Sequence, residues 1–421
     1  MNSLGRIKIQ AINSTKTRIS LIPVKLTPLL SDNDLNGSFI SNIACFVNKN
    51  TFSFLILDLG KRCDNLYSMF DNISILAGSK AIDIIRDEGL EPARVKVLAG
   101  ASGSAKFLVL TGIDRVLMSL FKDRTDPLYL IGTSIGAFRM AAFCQKDPLA
   151  ALRTLEQEYI TQQYDLKPTK EDITRESLRI LDAYIDDKEI EAMLNHPFMK
   201  ISFLSNKCKG LLKKEHFILQ WLGIGLAAGA NLLSRNTLGF FFERALFCGP
   251  GKPPPFASMN QFPMNIYGLT PSNFKSALLS SGSIPIVMEG ISSIEGAPGV
   301  FRDGGIIDYH LDIPFLPHED ALVLYPHFYE KITPGWFDKA LNRKPCSKHM
   351  KNVVLIAPSD KFVKSLPFEK IPDRKDFTSF KGKDKERMAY WRVVVEKNRQ
   401  MGDEFYEAVQ SGKIRQIVKP L

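Results

Sequence analysis

The sequence is poor in the residues that build metal centres and disulfide frameworks, with six cysteines and six histidines among 421 residues. Cys45, Cys63, Cys144, Cys208, Cys248 and Cys346 are scattered, without a C-x-x-C pair or a close histidine partner. That excludes a zinc site and a disulfide scaffold, and predicts reduced, mostly buried thiols. A leader of the secretory type is also missing, because Arg6, Lys8, Lys16 and Arg18 interrupt any apolar stretch. A cytoplasmic or peripheral-membrane location is therefore expected, with export that needs no cleaved signal left open. No hydrophobic run is clearly long enough to span a bilayer. The nearest is 217–233, uncharged until Arg235, but three glycines, Gln220 and Asn231 argue against a clean span. It reads as a buried or capping helix, or as a helix at a membrane surface or substrate entrance. The aromatic run Phe240-Phe241-Phe242, then Phe247, extends an apolar rim or packs in the core.

Charge is abundant but uneven. The formal net charge is +10, and residues 331–421 alone hold 21 Lys or Arg against 11 Asp or Glu. No nucleic-acid recognition module accompanies this excess, and the nearby aromatics (Trp336, Phe377, Phe380, Tyr390, Trp391) do not repeat in a binding pattern. Nucleic acid is not expected as a partner. An anionic membrane surface suits the charge better, at about 1 kcal/mol per well-placed cation; a solvated helical face is the plain alternative.

The clearest chemical signal is Gly132-Thr133-Ser134-Ile135-Gly136. Leu128-Tyr129-Leu130-Ile131 before it is a short apolar run of buried-strand type, and Ala137 to Phe143 after it has helix-forming composition. A serine on so tight a strand-to-helix turn has its hydroxyl held out at the carboxyl end of a sheet. The glycines on either side let strand and helix approach, which is the arrangement of a nucleophile elbow. About 30 residues earlier, the predicted strand Val95–Ala99 runs into Gly100-Ala101-Ser102-Gly103-Ser104-Ala105-Lys106. Backbone N–H groups in such a small-residue loop can hold a phosphate or an oxyanion. The loop matches neither the Walker A spacing nor the dinucleotide glycine pattern. Adjacent parallel strands would bring it to the same sheet edge as Ser134.

The third signal is Asp303-Gly304-Gly305 at the end of the strand-like Val300-Phe301-Arg302. Asp-Gly is commonly only a turn. Beside a nucleophile elbow, however, Asp303 is a candidate base, with small neighbours that permit close approach. His310, His318, His327 and His349 all follow it in sequence, the order of a conventional Ser-His-Asp carboxylesterase, although no context singles one out.

Taken together, the loop 100–106, the elbow, Ser281-Gly282-Ser283-Ile284-Pro285 and Asp303-Gly304-Gly305 resemble the patatin-like phospholipase family over about residues 73 to 330. The resemblance implies an α/β fold of three layers, a mainly parallel central sheet with helices on both faces. It implies a serine lipid acyl hydrolase of phospholipase A or lysophospholipase type, with Ser134 as nucleophile and Asp303 as base. N–H groups around Gly103 and Ser104 would form the oxyanion hole, Lys106 would hold the loop or an anionic substrate, and no cofactor would be needed. Gly100, Ala101, Ser102, Gly132, Gly136, Gly304 and Gly305 would support these motifs. The family's usual run of three glycines reads Ala101-Ser102-Gly103-Ser104 here, which bears on substrate range. A lipid-binding protein of the same fold with little turnover is a further reading.

The expected organisation is a poorly defined extension over 1–70, with strand candidates at Ile19–Val24 and Phe52–Leu57. A catalytic domain follows over 71–340, and a basic region over 341–421 packs on it. Helices are expected at Ser79–Glu88, Phe107–Phe121, through Asp147–Leu194, at Ser272–Ser280 and over Lys385–Val409. In the last, Tyr390, Val394, Met401 and Phe405 form the buried stripe, with Arg387, Lys397 and Arg399 outside it. Leu322–Tyr325 and Val353–Ile356 read as further buried strands.

Overall fold

The computed structural model describes residues 70–317 and 320–421, and the backbone of two strands nearer the amino terminus. The chain divides into two units, Met1–Met69 and Phe70–Leu421. In the first, β1 (Ile43–Asn48) and β2 (Thr51–Ile56) pair antiparallel, Ile43 opposite Ile56. The strand expected at Ile19–Val24 lies outside the described residues.

The second unit is an α/β fold around one sheet. Its strands are β3 (Ile73–Ala77), β4 (Val95–Gly100), β5 (Leu128–Thr133), β6 (Met199–Cys208), β7 (Phe242–Cys248), β8 (Met264–Gly268), β9 (Ile291–Ile294), β10 (Ala297–Asp303), β11 (Leu322–Pro326), β12 (Val353–Pro358) and β13 (Lys419–Pro420). Nine of them run in the order β13-β3-β12-β11-β4-β5-β6-β10-β9, with β7 and β8 branching from β6. The central five, β12 to β6, are parallel. Both faces of such strands are covered, which is why β11 and β12 are buried at every residue and read as unbroken apolar runs. Strand order turns at β4: the chain moves outward through β5 and β6, then returns to lay β11 on the other side. The loops after β4 and β11 therefore diverge and leave a crevice at the carboxyl ends of the strands.

Register sets the level of the site. Thr133 on β5 pairs with Leu204 on β6, and the next β6 residue, Ser205, pairs with Asp303 on antiparallel β10. Ser134 and Asp303 thus arrive at one height on either side of β6.

The helices differ from expectation in their ends. The run 104–121 is a 3-10 segment, Ser104–Val109, followed by an α-helix over Thr111–Leu120. The helix expected from Ser272 begins at Phe274. The long basic helix is two, Asp384–Lys397 and Arg399–Gln410, broken at Asn398, whose side-chain amide donates to Leu108 O and Thr111 Oγ1. Tyr390, Val394, Met401 and Phe405 are buried as expected, but Arg387 is fully buried as well. Its guanidinium lies 4.6 Å from the ring centroids of both Phe377 and Trp391 and donates to the carbonyls of Ile160 and Gln162. Part of the basic tail's charge is therefore spent inside the fold.

The tail belongs to the sheet unit: β12 and β13 are strands of it, and the Arg399–Gln410 helix crosses Thr111–Leu120 with glycine against glycine. A Cβ on Gly402 would sit 2.5 Å from Gly112 O. Gly402→Val should therefore lower stability by about 1–3 kcal/mol, the usual cost of overpacking, read as an earlier thermal melt by circular dichroism; an unchanged melting temperature would contradict this contact.

Candidate active site

Three loops meet at the crevice. The first is the turn between β5 and the helix Ile135–Phe143, where Ser134 has φ 53° and ψ −129°, a backbone state that serine rarely occupies. The turn is held by close backbone packing: a Cβ on Gly132 would lie 2.5 Å from Ala137 N, and one on Gly136 would lie 2.2 Å from Gly100 O. Those two glycines let the elbow fold and seat it against the end of β4. From the other side, Ser281 Oγ accepts the Ser134 N–H at 2.9 Å and donates to Leu204 O at 2.6 Å. The Thr133 hydroxyl donates to Asp308 O at 2.9 Å.

The second loop carries Asp303. Ser134 Oγ donates to Asp303 Oδ2 at 2.8 Å, and Gly305 N donates to Asp303 Oδ1 at 2.6 Å. Asn206 Nδ2 donates to the carbonyls of Asp303 and Gly304, and the Asp303 N–H donates to Ser283 O. Gly304 and Gly305 have no room for a side chain, since Leu204 O and Ser102 Oγ would lie 2.2 and 2.5 Å from their Cβ positions. Burial raises the Asp303 carboxyl to about 6, against the pull of its hydrogen bonds from Gly305 and Ser134 and of the distant Arg374 and Lys339 charges.

The third loop runs from Gly100 to Lys106. Ala101 and Ser102 are buried, and Ser102 N donates to Tyr309 O. Gly103 packs so closely on Phe328 that a Cβ would meet the ring at 2.6 Å, and Ser104 follows with φ 54°. Among the described residues, the N–H groups of Gly103 and Ser104 have no acceptor within the chain. Successive N–H groups around a left-handed residue form an anion-binding concavity. The Ser104 hydroxyl is tied to Tyr159 OH at 2.8 Å. Lys106 Nζ lies 5.5 Å from the Phe328 ring centroid, and burial lowers its pKa.

Two cavities share Ser104, Ser134, Ile284, Arg374 and Lys375 in their walls. One, of about 410 Å³, contains Gly103 and Asp303 and is lined by Lys106, Lys339, Arg374 and Lys375 against the single further acid Asp373. Lys339 is exposed as a residue, yet its ammonium lies 3.8 Å from the Tyr309 ring centroid, and its pKa falls to about 7 through loss of water and repulsion from Lys106. The other, of about 760 Å³, is lined by Phe138, Tyr159, Ile173, Ile180, Val287 and Met288.

The histidines stand apart from the pair. His310 is on the wall of the smaller cavity, its Nδ1 accepting the Thr333 N–H at 2.7 Å and its ring stacked on Tyr309. His327 is buried, and accepts the Tyr329 N–H. His349 pairs with Asp312, and His318 lies outside the described residues. Neither Ser134 nor Asp303 has a histidine partner among the described residues. Lys339, Arg374 and Tyr159 carry no motif in the sequence, whereas Ser281 opens the 281–285 motif, which gives no sign that its hydroxyl holds the Ser134 N–H.

No protein-family model matches the chain, and no curated protein matches it. The geometry of these three loops is therefore the basis for any functional reading.

An ionised Asp303 at neutral pH works against folding by on the order of 3 kcal/mol, because the folded carboxyl titrates near 6 and an unfolded one near 3.8. The penalty is present above pH 6 and absent below 3.8. Asp303→Asn should therefore melt higher than the parent at pH 7, with the gap closing as pH falls through that window. A gap independent of pH would contradict the assignment.

Proposed function

We propose that the chain is a serine lipid acyl hydrolase of the patatin-like type, acting on phospholipid or lysophospholipid with a Ser134–Asp303 dyad. The observation that carries the reading is the 2.8 Å hydrogen bond from Ser134 Oγ to Asp303 Oδ2 on a strained elbow. In the reaction, Ser134 Oγ attacks the ester carbonyl as its proton passes to Asp303 Oδ2. The Gly103 and Ser104 N–H groups receive the oxyanion, a contribution of about 10² to 10³ in rate per donor. Asp303 then gives its proton to the leaving alcohol, takes one from the water that attacks the acyl-enzyme, and returns it to Ser134 Oγ as the fatty acid departs. A carboxyl titrating near 6 suits both halves of that cycle better than an ordinary one near 4.

Two cavities that meet at Ser134 support the choice of substrate class. An apolar space of about 760 Å³ suits an acyl chain, and the cation-lined space of about 410 Å³ suits an anionic headgroup. A Ser-His-Asp esterase is the second reading, kept by one observation: the buried His310 Nε2 has no partner.

Free fatty acid release from mixed phospholipid vesicles tests this directly. Ser134→Ala and Asp303→Ala should each lose at least about 10³-fold in kcat while staying folded. His310→Gln should stay within about threefold of the parent, whereas loss matching Ser134→Ala would assign the triad instead. Wild-type kcat/KM should be level above pH 6 and fall about tenfold per pH unit below it, as Asp303 becomes protonated. No release by the wild type, with no labelling of Ser134 by a serine-reactive phosphonate, would leave a lipid-binding protein without turnover.

A further inference from the structure

The helix Phe217–Leu233 is built inside out. Its buried face is Gln220, Gly223, Ile224, Ala227 and Asn231, and the two amides on that face are both hydrogen-bonded into the protein. Gln220 Nε2 donates to Lys214 O and to Glu215, while its Oε1 accepts from Lys170. Asn231 Nδ2 donates to Asp338 Oδ1, and its own oxygens accept from Arg343. Gln220 and Asn231 are eleven residues apart, a separation that returns to the same side of a helix after three turns.

The opposite face is apolar and exposed. Ile218, Trp221, Leu222, Leu226, Leu232 and Leu233 are between 51% and 88% exposed, and the next turn of chain adds Phe240 at 80%. Water-facing helices carry charge on this side; this one has none over 17 residues. So large an apolar patch on a folded surface marks a binding face. No helix among the described residues is long and apolar enough to cross a membrane.

Charge selects the occupant. Lys213 and Lys214 stand four and three residues before the helix, are exposed, and form no ion pair among the described residues. The acid that follows them in sequence, Glu215, is engaged by Arg302 at 2.6 Å. Exposed cations close to the start of an apolar helix face, with a Trp on it, complement the anionic headgroups and acyl boundary of a bilayer. The position fits too. Asn231 binds Asp338, and the neighbouring Trp336 and Lys339 line the smaller cavity at Ser134.

We propose that this helix is an interfacial anchor, lying in the headgroup–acyl boundary of an anionic phospholipid bilayer so that the Ser134 crevice opens beside the lipid. The role assigned to the crevice rests on the lipid-hydrolase reading; the anchor itself is read by binding alone.

The test is sedimentation of the full chain with phosphatidylcholine vesicles with and without phosphatidylserine, alongside hydrolysis of a soluble short-chain ester. Wild type should bind the phosphatidylserine vesicles more tightly, and less so at high salt. The double change Trp221→Asp, Leu226→Asp should weaken binding at least tenfold. Lys213→Glu with Lys214→Glu should remove the preference for phosphatidylserine. Both variants change exposed side chains outside the crevice, so soluble-ester turnover should match wild type. Binding unchanged in the aspartate variant, a preference unchanged in the glutamate variant, or no wild-type binding would each overturn the anchor. So would a wild-type dimer, dissolved by the aspartate changes, that ignores vesicles: the face would then belong to a second copy. Vesicle binding without any ester turnover would uphold the anchor and defeat the hydrolase reading.

Discussion

Everything at this crevice depends on keeping one carboxylate dry. Asp303 is almost fully buried, and burial alone would neutralise it. Two hydrogen bonds, from the Gly305 N–H and the Ser134 hydroxyl, offset enough of that cost to leave the group poised near 6. Each needs its own close packing. Gly305 N reaches Oδ1 because no side chain at 305 separates the turn from Ser102, and Ser134 reaches Oδ2 because the elbow sits hard against Gly100. The glycines of three separate loops thus serve a single hydrogen-bonding arrangement. An imidazole titrates in this range without help; here desolvation brings a carboxyl into it.

The floor beneath the Ser134–Asp303 pair is ionic. Asp308 accepts two 2.8 Å bonds from Arg244, and Arg235 reaches both Ile307 O and the Asp338 carboxylate. On the far side of the elbow, Arg139 holds Asp114 in a second fully buried pair. Pairs this deep recover in attraction roughly what they lose in hydration, so their effect is on geometry more than on stability. They fix the 303–310 segment, whose Asp308 carbonyl takes the Thr133 hydroxyl just before Ser134. The same chain of contacts runs through Asp338 to Asn231, so the floor of the crevice and the Phe217–Leu233 helix share one set of buried groups.

The sequence displays those parts of the structure whose chemistry is local. Strands β11 and β12 are unbroken apolar runs because both faces are covered, and the elbow, Asp303 and the small-residue loop lie within a few residues of their strand ends. What is set by distant partners stays hidden. Arg387 looks like a solvated charge in its helix, and only distant partners, the rings of Phe377 and Trp391 and the carbonyls of Ile160 and Gln162, together with Asp384, make a buried guanidinium stable there. Asn398 breaks a continuous helical pattern because its amide is claimed by Leu108 and Thr111, nearly 290 residues away. Lys339 and Arg374 reach the crevice from connecting segments after β11 and β12, with no spacing or motif to mark them.

The helix 217–233 shows why composition cannot say which side of a helix is inside. Hydropathy makes all but two of its side chains apolar or small, and the ordinary rule would bury the larger ones. The deciding residues are the amides. An amide in a dry interior is tolerable only with partners, and Gln220 and Asn231 find theirs on one face, in the Lys214–Glu215 turn and the Asp338–Arg343 segment. Once those bonds fix the rotation of the helix, the large apolar side chains have nowhere to go but outward. The orientation is thus set by what must be satisfied in the protein, and the exposed surface is its consequence. An aqueous surface gives that consequence no compensation, whereas an apolar boundary does. It is the rotation imposed by two amides, rather than the hydrophobicity of the segment, that turns the large apolar side chains of this helix outward.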